Sequence, residues 1–121
     1  MATLTTTLTL SSDADDVLTD ALSVSVNDSL TVANPVEFSK KSIATGSAQA
    51  VIASNSSFSY VYFKVVSSTN TAAFLQVKFG GNHILKLRVG EFAFMPIYNS
   101  LAVTAEAYTA ACVLEYGAFS I

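Results

Sequence analysis

Apolar residues recur at every second position through much of this chain, and helical spacing is almost absent. Positions 3–10 read T-L-T-T-T-L-T-L. That pattern puts Leu4, Thr6, Leu8 and Leu10 on one side of a strand and the remaining threonines on the other. An acidic stretch follows at 11–16. It suits a helical turn with Val17, Leu18, Ala21 and Leu22 at helical spacing. It equally suits an Asx-rich turn ahead of an alternating strand at 22–26, and the turn is the preferred reading. Asn27-Asp28 marks a bend before a short extended piece at 30–32. Asn34-Pro35 then forces a turn or an extended linker, because proline lacks a donor and restricts its predecessor. Short strands are expected at 36–38, 42–45 and 49–53.

The second half is richer in β-formers. Positions 58–66 read F-S-Y-V-Y-F-K-V-V, nine residues suited to a pleated, half-buried surface. Strands are expected next at 72–79 and 83–89, joined by a tight turn at Gly80-Gly81-Asn82. Further strands are expected at 91–97, 101–106 and 111–116, with a turn at Asn99-Ser100 and a tail from Gly117 to Ile121. Eight to ten short strands with frequent turn signals predict an all-β fold. The expected architecture is an antiparallel β-sandwich with jelly-roll or Greek-key-like wiring. One domain is expected to span 1–121, with 1–10 as its first strand or as a docking arm.

The alternation also predicts where this fold leaves apolar groups uncovered. The strand at 58–66 places Phe58, Tyr60 and Tyr62 on one face and Val61, Phe63 and Val65 on the other. Phe92, Phe94 and Pro96 likewise oppose Ala93, Met95 and Ile97. Sandwich strands of a monomer are apolar inward and polar outward. These are apolar on both faces, as expected of a surface that contacts another protein. Composition sharpens the point. Hydrophobic residues are 51% of the chain and charged residues 12%, about half the usual share of roughly 25%. The expected interface residues are therefore Leu4, Leu8, Leu10, Phe58, Tyr60, Tyr62, Phe92 and Phe94, and a homo-oligomer is the expected state.

Charge and cysteine content narrow the function classes. Six basic against nine acidic residues give a net charge of −3, with no basic patch for nucleic acid. One cysteine excludes a disulfide framework and a cysteine-based zinc site. No run of about eighteen apolar residues predicts a membrane helix, and the opening residues lack signal-peptide character. The single histidine, His83, lies beside a turn outside any catalytic motif, and one histidine cannot build a cupin-type metal site. Cys112 sits in an apolar run, which predicts a buried, inert thiol. Asp13, Asp15, Asp16, Asp20 and Asp28 offer hard oxygen ligands but not EF-hand spacing, which favours a solvated acidic loop. Glu91 and Glu106 form an acid–base pair only if the fold brings them together. Tyr60, Tyr62 and Tyr98 are candidate sugar-stacking rings, although packing or subunit contact is the commoner use of such side chains. No catalytic residue, metal or cofactor is expected.

Several segments resemble small virion structural proteins of tailed bacteriophages. They are ATLTTTLTL at 2–10, ALSVSVNDSLTV at 21–32, FSYVYFKVVSSTNTAAFLQV at 58–77, LKLRVGEFAFMPI at 85–97 and VLEYGAFSI at 113–121. The resemblance covers nearly the whole chain, and its most specific part is Gly90 to Pro96. It implies a non-enzymatic β-sandwich that assembles on the particle, as a capsid decoration (cement) protein. The alternatives are a tail or fibre adaptor, or a carbohydrate-binding receptor-recognition module. The implied partners are further copies of the chain, as a trimer, together with the major capsid protein or tail components. The implied location is the virion, assembled in the host cytoplasm.

Chelation is expected to leave Tm unchanged, because a resident metal stabilises by mass action and its removal lowers Tm. A loss of many degrees in EDTA would instead assign calcium to the acidic stretch at 13–20.

Overall fold

The computed structural model describes residues 2–14, 20–98 and 101–121. Nine strands occur among them: β1 (Ala2–Ser11), β2 (Ser23–Ile43), β3 (Gln49–Ile52), β4 (Phe58–Ser68), β5 (Phe74–Phe79), β6 (Asn82–Arg88), β7 (Phe92–Pro96), β8 (Val103–Tyr108) and β9 (Cys112–Ser120). The described residues contain no helix. The chain forms two compact units, residues 1–32 and 33–121, and β2 runs from the first into the second.

The first unit is an antiparallel ribbon. Ala2 pairs with Val32 and Ser11 with Ser23, without a register shift between them. Ser12 and Leu22 close it: the Ser12 amide donates to the Leu22 carbonyl at 2.9 Å, and the Leu22 amide to Ser12 Oγ at 2.9 Å. Side chains directly opposite each other share a face. One face therefore carries Leu4 with Leu30, Leu8 with Val26 and Leu10 with Val24, interrupted by Thr6 with Asp28. The other carries only threonine, serine and asparagine: Thr3 with Thr31, Thr5 with Ser29, Thr7 with Asn27 and Thr9 with Ser25. Asn27-Asp28 was expected to bend the chain and instead lies within the strand, opposite Thr7 and Thr6. A ten-residue partner strand outweighs two weak β-formers, since β-propensity yields to pairing context. The turn or helical-turn alternatives at 11–22 fall largely on 15–19, outside the described residues.

The second unit is a two-sheet sandwich, as the alternation predicted. One sheet has the order β2-β9-β4-β7 and the other β3-β8-β5-β6. The pairing is nested: β2 with β9, β3 with β8, β4 with β7 and β5 with β6. First pairs with last and the layers alternate, which is jelly-roll connectivity. Ahead of this unit's pairing, β2 skips Asn34 and Pro35, where the register shifts between Ala33 and Val36. The Asn34-Pro35 bond is cis. Proline brings no amide to a ladder, so a bulge is where a strand tolerates it. The short strands expected at 30–32, 36–38 and 42–45 are thereby parts of one long strand.

The core fills from period-two alternation on both sheets. Val61, Phe63 and Val65 of β4, Leu75 and Val77 of β5, Val103 and Ala105 of β8 and Leu114 of β9 are all buried. Phe63 and Phe79 meet across the layer with ring centroids 6.0 Å apart. At the Gly80-Gly81 turn both residues have positive φ, 59° and 87°, a conformation that glycine adopts without steric cost. The strand β9 extends through Gly117 to Ser120, where a tail was expected.

Phe63 is fully buried among both sheets. Phe63→Ala is expected to lower unfolding stability by about 3–5 kcal/mol, the usual cost of an aromatic-sized void. Urea denaturation at constant m-value measures it.

Candidate functional site

The two sheets of the sandwich treat their outer faces differently. On β5, β6 and β8 the outward positions include Gln76, Lys78, Lys86, Thr104 and Glu106, with Phe74 stacked on Tyr108 at 5.1 Å. Lys86 Nζ lies 4.2 Å from the centre of the Phe74 ring, and Tyr108 Oη donates to Glu106 at 3.1 Å. That face is a mixture of polar and aromatic side chains, with Gln76 Oε1 buried beneath them.

The outer face of β2-β9-β4-β7 is built from three rows. Its first row runs Val36, Phe119, Tyr60, Pro96 across the four strands, and its second Phe38, Gly117, Tyr62, Phe94. The third runs Lys40, Glu115, Lys64, Phe92. Two rows of aromatic and aliphatic groups thus end on a row of alternating charge. Tyr60 stacks on Phe94 at 5.6 Å, Phe38 on Tyr62 at 6.1 Å, and Phe119 meets Phe94 at 6.4 Å. Phe92 is 64% exposed, and Phe38 and Val36 are exposed as well.

Gly117 is the keystone of the aromatic rows. A Cβ there would lie 3.0 Å from Phe38 Cδ2 and 3.0 Å from Phe119 Cζ. The missing side chain leaves the space that the two rings occupy, so the glycine is needed for close packing and not for a turn.

At the charged row, Tyr62 Oη donates to Glu115 Oε1 at 2.9 Å, and Lys40 Nζ lies 3.7 Å from Glu115 Oε2. Burial, then the hydrogen bond to Glu115, then that carboxylate's charge push the Tyr62 phenol up to about 12. An anionic phenolate beside Glu115 would be both poorly hydrated and repelled.

The expected interface residues divide into three groups. Tyr60, Tyr62, Phe92 and Phe94 come together on this face. Leu4, Leu8 and Leu10 lie on the apolar face of the ribbon, with Leu8 46% exposed. Phe58 does not join either group. It is 2% exposed and belongs to the core, because the ladder shifts between Phe58 and Tyr60 and turns Phe58 inward. Sequence reasoning missed Val36, Phe38, Gly117 and Phe119. Their signal was the alternation Val36, Phe38, Lys40, which continues the pattern of Tyr60, Tyr62, Lys64 on another strand.

The candidate chemical residues are dispersed. Glu91 accepts the Arg88 amide at 2.7 Å and pairs with the Arg88 guanidinium at 3.6 Å, while Glu106 is held by Tyr108. Cys112 is buried, and burial pushes its thiol up from the ordinary value. His83 is exposed opposite Lys78, and Tyr98 stands 81% exposed. Among the described residues no group of three or more acidic, histidine or cysteine side chains converges on a metal-sized space; Asp15 and Asp16 lie outside them. Comparison with known proteins finds no matching family, no matching curated protein and no matching solved structure.

The Tyr62 phenol fixes a pH dependence. Its pKa rises from 10.0 to about 12 on folding, so the folded state keeps a proton that the unfolded state has released. Its contribution to stability is complete below pH 10 and is lost as pH rises from 10 to 12. The fall in Tm over that interval is expected to be shallower in Tyr62→Phe, measured by thermal scans of both proteins.

Proposed function

We propose that this chain is a non-enzymatic structural protein of a bacteriophage virion, a capsid decoration protein that seats its aromatic face on another virion protein. The observation that carries this reading is the β2-β9-β4-β7 outer face. Two of its three rows are apolar, on a side of the sandwich where solvated side chains are the rule. Contiguous apolar surface bounded by charge suits protein contact. The jelly roll is a wiring that capsid domains share with lectins and cupins, an analogy at the level of fold alone. The segment with the most specific phage resemblance, 90–96, contains β7 and with it Phe92, Phe94 and Pro96 of this face.

A sugar platform needs a free ring face. Tyr60 and Tyr62 spend theirs on Phe94 and Phe38, at interplanar angles of 15° and 8°. One face of each ring is thereby taken by a neighbouring phenyl group, which leaves less ring for a glycan and favours a protein partner.

The test is particle incorporation. The protein is expected to co-purify with intact virions from infected cells in a fixed ratio to the major capsid protein. Phe92→Asp, at the most exposed ring of the face, is expected to fold with unchanged circular dichroism, its carboxylate beside Lys64, yet to be lost from particles, since the contact loses a large apolar ring and must desolvate a carboxylate, at a cost of about 2–5 kcal/mol. Absence of the wild-type protein from purified particles would overturn the reading.

A further inference from the structure

Among the described residues the sheet edges are guarded, with one exception. An unpaired strand edge invites another chain to add to it, and proteins blunt such edges with charge, proline, bulges or brevity. The edge strand β3 has four residues and a register shift between Ala50 and Ile52. On the edge strand β6 stand Lys86 and Arg88, and the five-residue β7 ends on Pro96. Beyond its bulge β2 bears Glu37, Lys40 and Lys41, and within the ribbon it carries Asp28 at its middle.

Strand β1 has none of these devices. It is ten residues long, uncharged, free of proline and paired with β2 without a bulge. Among the described residues nothing pairs with its other edge. Its sequence from 2 to 10, A-T-L-T-T-T-L-T-L, reads the same in both directions about Thr6, apart from Ala2 and Leu10.

We infer that β1 pairs antiparallel with β1 of a second copy of this chain, across a two-fold axis at Thr6. An antiparallel strand that is its own mirror in sequence meets itself in register. Leu4 then lies opposite Leu8 of the second copy, Thr5 opposite Thr7 and Thr6 opposite Thr6. Every leucine stays on the apolar face and every odd-numbered threonine on the hydroxyl face, whereas a one-residue slip would set Leu4 and Leu8 against threonines. Nine paired residues exchange roughly eight to ten backbone hydrogen bonds. The contact is isologous and uses up the open edge of both copies. The outer edges of the resulting four-stranded ribbon are the β2 strands, each with Asp28, so growth stops at two. This is a two-fold pair in place of the three-fold that the phage resemblance implies. It concerns the ribbon alone and holds whether or not the aromatic face binds a virion protein.

Charge placed on the hydroxyl face tests both pairing and register. Thr5 and Thr7 are exposed, so substitution there leaves the ribbon's apolar face intact. In Thr5→Lys/Thr7→Lys the two copies oppose like charges, and in Thr5→Lys/Thr7→Glu they oppose unlike ones. Sedimentation velocity at micromolar concentration is expected to give a dimer for the wild type, a monomer of unchanged circular dichroism for the first variant and a dimer again for the second. Separately, Thr6→Cys is expected to cross-link into a covalent dimer under mild oxidation, because directly paired residues lie within disulfide reach, and Thr3→Cys is not. A monomeric wild type, or an oligomer of any size that the lysine pair leaves intact, would overturn the proposal. Neither result bears on incorporation into particles, which the Phe92→Asp experiment reads on its own.

Discussion

The rest of the sandwich depends on how β4 divides its side chains. Val61, Phe63 and Val65 enter the core, and the residues between them, Tyr62 and Lys64, face outward together with Tyr60. The strand lies between β9 and β7, so its pleat sets the pleat of both. Phe63 and Val65 bring Tyr116 and Leu114 of β9 inward beside them, while Tyr62 and Lys64 bring Phe94 and Phe92 of β7 outward. A single commitment of period two therefore produces both the core and the aromatic face. The pleat fixes which side chains face outward, and the residues at those positions (Tyr60, Tyr62, Phe92 and Phe94 beside Lys64) make the surface aromatic.

That coupling explains why the interior was legible in the sequence and the outer surface only in part. Alternation names the inward set of β4, β5 and β8 directly, because one face of each strand is uniformly apolar. It fails where the ladder breaks period. The shift between Phe58 and Tyr60 sends Phe58 into the core although parity from Tyr60 puts it outside. Such a shift depends on how β9 closes against the start of β4, which is a tertiary fact. Gly117 misled in the opposite sense. Glycine in a strand reads as an ending, yet here the absent side chain is filled by Phe38 and Phe119 from within the same face. The signal was present in the aromatic residue two positions on, but only the approach of β2 gives it meaning.

The long strand β2 shows the same limit at the level of pairing. Asn27, Asp28, Asn34 and Pro35 are four poor strand formers in twenty-one residues, enough to break the strand on local grounds. Two different partners hold it: β1 over 23–32 and β9 over the stretch after the bulge. Local preference of a few tenths of a kcal/mol per residue loses to ladders of this length, roughly a span of 1 kcal/mol on host scales. The bulge then absorbs the proline, where a missing donor does least harm.

The two exposed apolar features differ in what they ask of a partner. The face of β2-β9-β4-β7 offers side chains, since the backbones of its inner strands β9 and β4 are already paired on both sides. Its partner must match shape, and the charged row of Lys40, Glu115 and Lys64 limits where an apolar surface can end. The ribbon offers the reverse. The backbone of β1 is open along its length, while its side chains are monotonous threonine and leucine that discriminate poorly between neighbours. Selectivity at such an edge comes from register, and register is set by which side of the strand is apolar. For a strand that reads the same from either end, the partner that satisfies register along its whole length is the strand itself. An edge without charge or proline is removed on both copies at once by the proposed two-fold pairing, and the β2 strands left outside, each with Asp28 opposite Thr6, do not extend the sheet.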